Sequence, residues 1–322
     1  MTPDPLAGAT RRDLCYDSLH GLSVGDALGA QYFVPGRRPE ELAAGRLPAG
    51  PWAWTDDTEM ACSVVTELVR HGELDQDRLA VAFAERCEPY RGYGAGAVTI
   101  LHAIRTGVPW REAAGAAFDG QGSCGNGAAM RVAPLGAYHP DRPRRAAEQA
   151  IRSAEVTHAH PEGILGAVLV AVAAAHAAEA RLAGIRPSPA EFLDRLTPYL
   201  VDGAVRRGVG RARRLLTGTA KTPVTVAEAA YELGNGSRVT AQDTVPFALW
   251  VAATRLTDYP AAITACVAAG GDVDTTAAIV GGVVAAYTGV GERSGVVGVP
   301  PSWLAAREAL PDWVGHPAGD RA

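Results

Sequence analysis

Apolar residues in this chain recur at three- and four-residue spacing over most of its length, with alanine abundant and β-branched residues rarely alternating with polar ones. Such a pattern lays one apolar stripe along each of a series of helices and leaves little for a sheet, so the fold class it dictates is all-α. Helices are expected over 14–25, 57–70, 79–86, 96–106, 144–156, 161–182, 189–199, 205–216, 226–233, 244–254, 259–269 and 275–288. Glycine-rich connections fall at 120–127 and 234–237, and a proline-bounded loop at 35–51. The stretch GIRPSP (184–189) is a candidate boundary, but helical patterning resumes on both sides of it, so one domain is expected.

Composition narrows the function. With 322 residues, 48% of them hydrophobic, the chain can bury a large core. A net charge of -5 supplies no global positive field for nucleic acid or anionic lipid, which disfavours a histone-like or membrane-surface role. Five widely spaced cysteines (Cys15, Cys62, Cys87, Cys124, Cys266) contain no C-x-x-C pair, so neither a disulfide framework nor a zinc site is expected, and a cytoplasmic location fits. The first residues, MTPDPLAGATRRDL, lack the pattern of a secretory signal. The most apolar run, 164–178, falls short of the ~20 residues that cross a bilayer and reads as a buried helix; no membrane partner is expected.

Two short stretches, more than two hundred residues apart, share one chemistry: Trp54-Thr55-Asp56-Asp57-Thr58-Glu59 and Gly271-Asp272-Val273-Asp274-Thr275-Thr276. Each precedes an apolar helix. Asp and Thr are favoured N-caps, and negative charge near a helix N-terminus stabilises it by about 0.3–1 kcal/mol, so capping accounts for one Asp and one Thr. It does not account for two repelling carboxylates in both places. Hard divalent cations take carboxylate and hydroxyl oxygens and would neutralise that repulsion, and the four acids carry enough charge for two ions. Spacing alone balances capping against metal binding for each stretch; the pair together favours a binuclear site if the fold brings them adjacent. Two ions in one site can clamp vicinal hydroxyls and orient a water, which is hydrolase chemistry.

Other features weigh less. The loop Gly122-Ser123-Cys124-Gly125-Asn126-Gly127 can turn backbone N–H groups toward an anion, helped by a helix expected near Ala128, though a plain turn has the same composition. His158 and His160 read as a tight turn rather than a metal pair, and His176 as a satisfied core residue. Five arginines between 206 and 214 form a basic patch that reads as a solvated helix face, with phosphate contact the lesser alternative and no interleaved aromatic to support it.

Six motifs then appear in one order: Gly21-Leu22-Ser23-Val24-Gly25-Asp26-Ala27-Leu28-Gly29, Trp54-Thr55-Asp56-Asp57-Thr58, GYGAG (92–96), GSCGNGAAMRVAPLG (122–136), THAHPEG (157–163) and GGDVDTTAAIVGG (270–282). In this order the chain resembles the ADP-ribosylglycohydrolases, from about Leu14 to Leu304, leaving a short tail (1–13) and a C-terminal segment (305–322) outside that domain. The resemblance implies a single-domain orthogonal helical bundle with a binuclear cleft, two Mg²⁺ or Mn²⁺ ions, and hydrolysis of the bond between ADP-ribose and an acceptor on a protein, a nucleic acid or a small molecule; a monomer is expected, though no residue in the chain argues for it. It implies Thr55, Asp56, Asp57, Asp272, Asp274 and Thr275 as metal ligands. Gly94, Gly96, Ser123, Cys124, Gly125, Asn126, Gly127 and His158 are implied to bind substrate. Asp56 and Asp57 are the candidates for orienting water, with no single base assigned. Two departures stand out. The glutamate that family members carry shortly after GDALG is absent here, where Ala30-Gln31-Tyr32-Phe33 follow, and Cys124 replaces a frequent aromatic for which Tyr93, Tyr32 or Phe33 would have to substitute. An ADP-ribose-binding module without turnover, or a hydrolase of another ribosyl or nucleoside-like glycoside, are the alternatives.

Overall fold

The structure, a computed structural model, describes residues 8–218, 223–293 and 295–315. Among these the α-helices are α1 (Gly8–Ala30), α2 (Pro39–Ala43), α3 (Asp56–His71), α4 (Gln76–Arg86), α5 (Ala95–Arg105), α6 (Trp110–Ala116), α7 (Ala133–Tyr138) and α8 (Pro143–Glu155). They continue with α9 (Pro161–Ala183), α10 (Pro189–Asp194), α11 (Ala204–Thr217), α12 (Val226–Leu233), α13 (Ala241–Thr254), α14 (Tyr259–Ala269), α15 (Val273–Thr288) and α16 (Pro301–Ala306). One antiparallel pair, β1 (Glu292–Arg293) with β2 (Val296–Val297), is the only sheet among the described residues. The all-α expectation holds.

Helix ends follow local chemistry. α12 and α14 begin where expected because Thr225 closes a capping box with Glu228 and Asp258 caps the Ala261 N–H. The helix expected over 189–199 stops at Asp194, and a separate 3₁₀ turn (Thr197–Tyr199) follows; Pro198 has no N–H to continue the ladder. α1 starts at Gly8 rather than at residue 14, and Arg11 in its first turns is buried and ion-paired to Asp141 at 2.7 Å. Residues 8–13 are therefore part of the folded body, as are 305–315, where Val314 is buried. Residues 1–7 and 316–322 of the expected terminal segments lie outside the described residues.

At 23 residues, α9 is longer than its apolar run suggested and has the length and composition to cross a membrane. Its apolar side chains are instead enclosed by α7, α8 and α15, so it serves as the central helix of the bundle.

Helices α1 and α15 meet backbone to backbone. Gly21, Gly25 and Gly29 repeat every four residues along one face of α1. A Cβ at Gly25 would lie 2.2 Å from the Ala277 carbonyl oxygen, one at Gly21 2.4 Å from that of Gly281, and one at Gly29 2.8 Å from Asp274 Cα. Ser18 Oγ donates to the Gly282 carbonyl (2.8 Å) and Tyr259 Oη to the Gly21 carbonyl (2.6 Å). Only glycine permits this approach, and it sets the start of α15 beside Gly29.

The approach makes a paired test. Gly25→Ala is expected to destabilise the protein by about 1–3 kcal/mol or more through overpacking. Gly115→Ala, in α6 where an added Cβ meets nothing within 4 Å, is expected to stabilise it by about 0.5–1 kcal/mol. Denaturant unfolding of the two variants against the parent checks both signs.

Candidate active site

Asp26, near the C-terminal end of α1, is fully buried and organises the early acidic turn. Its carboxylate accepts from the Thr55 N–H (2.9 Å), the Thr55 hydroxyl (2.8 Å), the Thr58 N–H (3.2 Å) and the Thr58 hydroxyl. Burial pushes its carboxyl up to about 6, and the bonds from Thr58 and Thr55 pull it down. Sequence reading passed over this residue as a ligand or support, although an acid within a run of small and apolar helical residues is its signal. Thr55 caps α3, accepting from the Asp57 N–H at 3.3 Å. The turn is steadied from behind by the C-terminal segment: Trp52 N–H donates to the Ala306 carbonyl (2.7 Å) and Trp54 Nε1 to that of Ala309 (3.1 Å). Arg91 lies over the Trp54 ring at 3.4 Å, donates to the Trp54 carbonyl (3.1 Å) and grips Glu308 with two nitrogens at 2.8 and 2.9 Å.

The late acidic turn enters α15 through Gly270 and Gly271, both with left-handed φ (64° and 76°). Asp272 N–H donates to the Asn235 carbonyl (3.1 Å), and a Cβ on Gly271 would fall 2.3 Å from that same oxygen, so the 234–237 connection is pressed against this turn. Asn126 joins the third piece: its Nδ2 donates to Asp272 Oδ2 (2.6 Å) and Thr244 Oγ1 (3.0 Å).

These pieces surround one cleft of about 500 Å³. Asp56, Asp57, Asp272, Asp274 and Thr275 line it, so the two remote acidic turns share a pocket. Gly94, Gly96, Ser123, Cys124, Gly125, Asn126, Gly127 and His158 line it as well. Thr55 does not; its hydroxyl proton goes to Asp26. No α-helix starts near Ala128: Asn126–Ala128 form a single 3₁₀ turn, and α7 begins only at Ala133, so the expected helix end does not back this loop.

Burial and mutual repulsion dominate the electrostatics. Burial, then Asp26, pushes Asp56 up to about 7. Burial, followed by the charges of Asp26 and Asp274, raises Asp57 well above the usual carboxylate range, and burial followed by Asp272 raises Asp274. Asp57 Oδ2 is buried and has no hydrogen-bond partner, while Oδ1 receives only the Thr275 hydroxyl at 3.5 Å. Among the described residues no three His, Cys, Asp or Glu side chains are already closed into a coordination group. The donor set nevertheless fits a hard cation: it is all oxygen, it repels itself, and it includes an orphaned buried carboxylate oxygen, Asp57 Oδ2.

His158 contributes differently. Burial, then Arg131, lowers its pKa to about 3, so the ring is neutral. Arg131 donates to Thr157 Oγ1 (2.9 Å), and that hydroxyl lies 2.8 Å from His158 Nδ1. With the Thr157 hydroxyl donating to Nδ1, the ring proton sits on Nε2. Nε2 faces the glycine loop, where a Cβ at Gly125 or Gly127 would lie 3.2 Å away. His160 caps α9 through Nδ1, accepting from the Glu162 N–H, and His176 pairs with Glu179.

None of the aromatics suggested in place of one at Cys124 reaches the cleft. Tyr93 is buried with its hydroxyl on Glu59 (2.7 Å), and Tyr32 and Phe33 lie elsewhere, as does Gln31, whose amide bonds its own helix. Phe118 does reach it: 61% exposed, it lies in a left-handed conformation (φ 54°) on the cleft wall with its ring over Gly96. Its sequence context, AAFDGQGS, carries no periodic signal. Val239, also left-handed, lines the same cleft, so two of the positive-φ non-glycine residues among those described lie at it.

Comparison with known proteins points to one family. The family model described as ADP-ribosylglycohydrolase matches residues 7–320. ADP-ribosylhydrolase ARH3 of Xenopus tropicalis is 30% identical over 336 residues, covering 92% of this chain and 91% of that protein. The human ARH3 is 29% identical, covering 88% and 86%. ADP-ribosyl-[dinitrogen reductase] glycohydrolase of Rhodospirillum rubrum is 29% identical over 168 residues, 48% of this chain and 55% of that one. A solved structure titled ADP-ribosylglycohydrolase-related protein complex superposes with a TM-score of 0.63 at 27% identity, covering 93% of each chain.

The acid cluster has a pH signature. A carboxylate whose folded-state pKa exceeds its unfolded one stabilises the fold at low pH, and the contribution is lost as pH rises through the folded value. With Asp56 moving from 3.8 to about 7, the chelator-treated protein is expected to lose stability between those limits. Its Tm should fall by about 5 °C or more from pH 5 to pH 8, and Asp57→Asn should flatten the fall. Thermal unfolding across that range in EDTA checks it.

Proposed function

The chain belongs to the ADP-ribosylglycohydrolase family, and we propose that it is a metal-dependent hydrolase of the bond between C1″ of ADP-ribose and an acceptor. Two Mg²⁺ or Mn²⁺ ions would be held by Asp56, Asp57, Asp272, Asp274 and Thr275, with Thr55 at the edge of that set. The observation that carries this reading is the shared cleft: four carboxylates from two remote helix starts, facing a glycine loop that can hold a diphosphate. When bound, such ions supply concentrated positive charge that offsets the acids' repulsion and polarises ribose oxygens and water.

The chain's own groups do the rest. The Ser123, Cys124 and Gly127 N–H groups and the Nε2–H of His158 donate to diphosphate oxygens, while the Gly125 and Asn126 N–H groups are held by Ser123 Oγ and the Val239 carbonyl; burial keeps the imidazole neutral. Gly92, Gly94 and Gly96 leave the ribose room beside Asp56. The Phe118 ring offers a flat apolar face at the cleft wall for a base or sugar. Asp56 and Asp57 orient water toward C1″ and take its proton as the acceptor leaves and the ribose passes through an oxocarbenium-like transition state. Asn126 holds Asp272 in place.

Release of free ADP-ribose is the direct test, with ADP-ribosylated arginine, serine peptide and oligonucleotide as substrates and Mg²⁺, Mn²⁺ or EDTA in the buffer. Turnover of at least one substrate is expected with metal and not with EDTA. Asp57→Asn and Asp272→Asn are expected to cut it by about a hundredfold or more with the fold intact, and Asn126→Ala by roughly 10–100-fold. If ADP-ribose binds but nothing is released from any substrate, the cleft is a binding module and the hydrolase reading fails.

A further inference from the structure

Helix α11 turns Val205, Gly208, Val209 and Ala212 inward, with Gly208 tight against Pro246 of α13. Its other side carries arginines over a floor kept low by Gly203 and Gly210. Arg206, Arg207, Arg211 and Arg214 line a surface cavity of about 420 Å³ there. Arg207 and Arg211 also line a second cavity, of about 440 Å³, with Tyr231 and Arg238. Arg238 and Thr240 in turn line both that second cavity and the acidic cleft. Three depressions thus lie in series, each sharing wall residues with the next, and the last is the candidate active site.

Charge along this track is uneven. In the first two depressions five guanidiniums face three carboxylates, Asp202, Glu232 and Asp243, and the four acids of the cleft lie beyond them. Asp202 is paired with Arg206, and Asp243 accepts the Arg238 backbone N–H (3.0 Å). Arg211 rests on the Glu232 carbonyl (3.0 Å) with nitrogens to spare. Arg207, Arg214 and Arg238 form no ion pair among the described residues. Beside them Tyr231 is 88% exposed, an aromatic face in the midst of the arginines that the linear sequence, with Tyr231 on a different helix, did not reveal.

We propose that this track binds single-stranded nucleic acid and leads it toward the cleft, so that an ADP-ribosylated single strand is among the acceptors the protein acts on. The proposal rests on the hydrolase reading for turnover, but not for binding. Unpaired guanidiniums at successive turns of one helix suit a phosphodiester backbone, and the tyrosine face suits an unpaired base, which neither a duplex nor an acidic peptide supplies.

Fluorescence anisotropy with labelled, unmodified oligo-dT of about 12 nucleotides, a length within the span of known single-strand sites, reads binding directly. Binding is expected to weaken steeply as salt rises. The triple variant Arg207→Ala/Arg211→Ala/Arg214→Ala should lower the slope of log K against log salt by about 2–3 and weaken binding by about tenfold or more. Tyr231→Ala should weaken it by roughly 5- to 100-fold while leaving duplex DNA of the same sequence unaffected. All four residues are exposed or half-exposed and outside the catalytic groups, so release of ADP-ribose from ADP-ribosylated arginine should be unchanged in both variants. No binding of oligo-dT, binding within twofold in the triple variant, or displacement by poly-glutamate at lower concentration than by oligo-dT overturns the proposal. Intact oligo-dT binding in a protein that releases no ADP-ribose from any substrate would locate the failure in the hydrolase reading instead.

Discussion

The contact between α1 and α15 through the glycines at 21, 25 and 29 is the constraint on which the cleft depends. Side chains at those positions would hold the two backbones apart, and with them the Asp26 carboxylate and the Asp272–Asp274 turn. Because the approach is backbone to backbone, it leaves little slack. Asp26 reaches α3 from α1, and Gly29 meets Asp274 on α15, so one helix carries the register of both acidic turns. The apolar core around α9 supplies the bulk of the burial, but it would accommodate many registers; the glycine face accepts one.

A second consequence is electrostatic. Packing that brings the acidic turns together raises the cost of their charge, and the fold offsets part of it by devoting Asp26 to four donors and Asn126 to Asp272. What is left, including the unpartnered Asp57 Oδ2, is carried as repulsion in a buried place. A protein interior tolerates such a group where a cation shares the site, and the all-oxygen donor set is consistent with that use.

Much of this was legible in the linear chain. Long helices announced themselves by periodicity, and the expected bounds of α12 and α14 match the structure, where Thr225 and Asp258 cap their starts. The acidic turns were recognisable because capping has no use for a second carboxylate. What escaped has physical reasons. Helices α2, α6, α7 and α16 are five to seven residues long, too short to show a period. Asp26 supports its partners through a tertiary contact that no local pattern encodes. Phe118 acquires its place on the cleft from a left-handed backbone turn, and the arginines of α11 acquire a tyrosine neighbour from α12.

Ser18 and Gly282, bonded across the α1–α15 contact, are 264 residues apart in the chain. At a synthesis rate of roughly 5–20 residues per second, α1 waits on the order of ten seconds to a minute before its partner emerges from the ribosome. Throughout that interval its glycine-lined face is uncovered and Asp26 has at most the α3 turn for company. The nascent polypeptide thus passes through a long period in which its most demanding joint is unmade, and any product truncated before Asp272 holds at most half of the cleft acids and only one side of the joint.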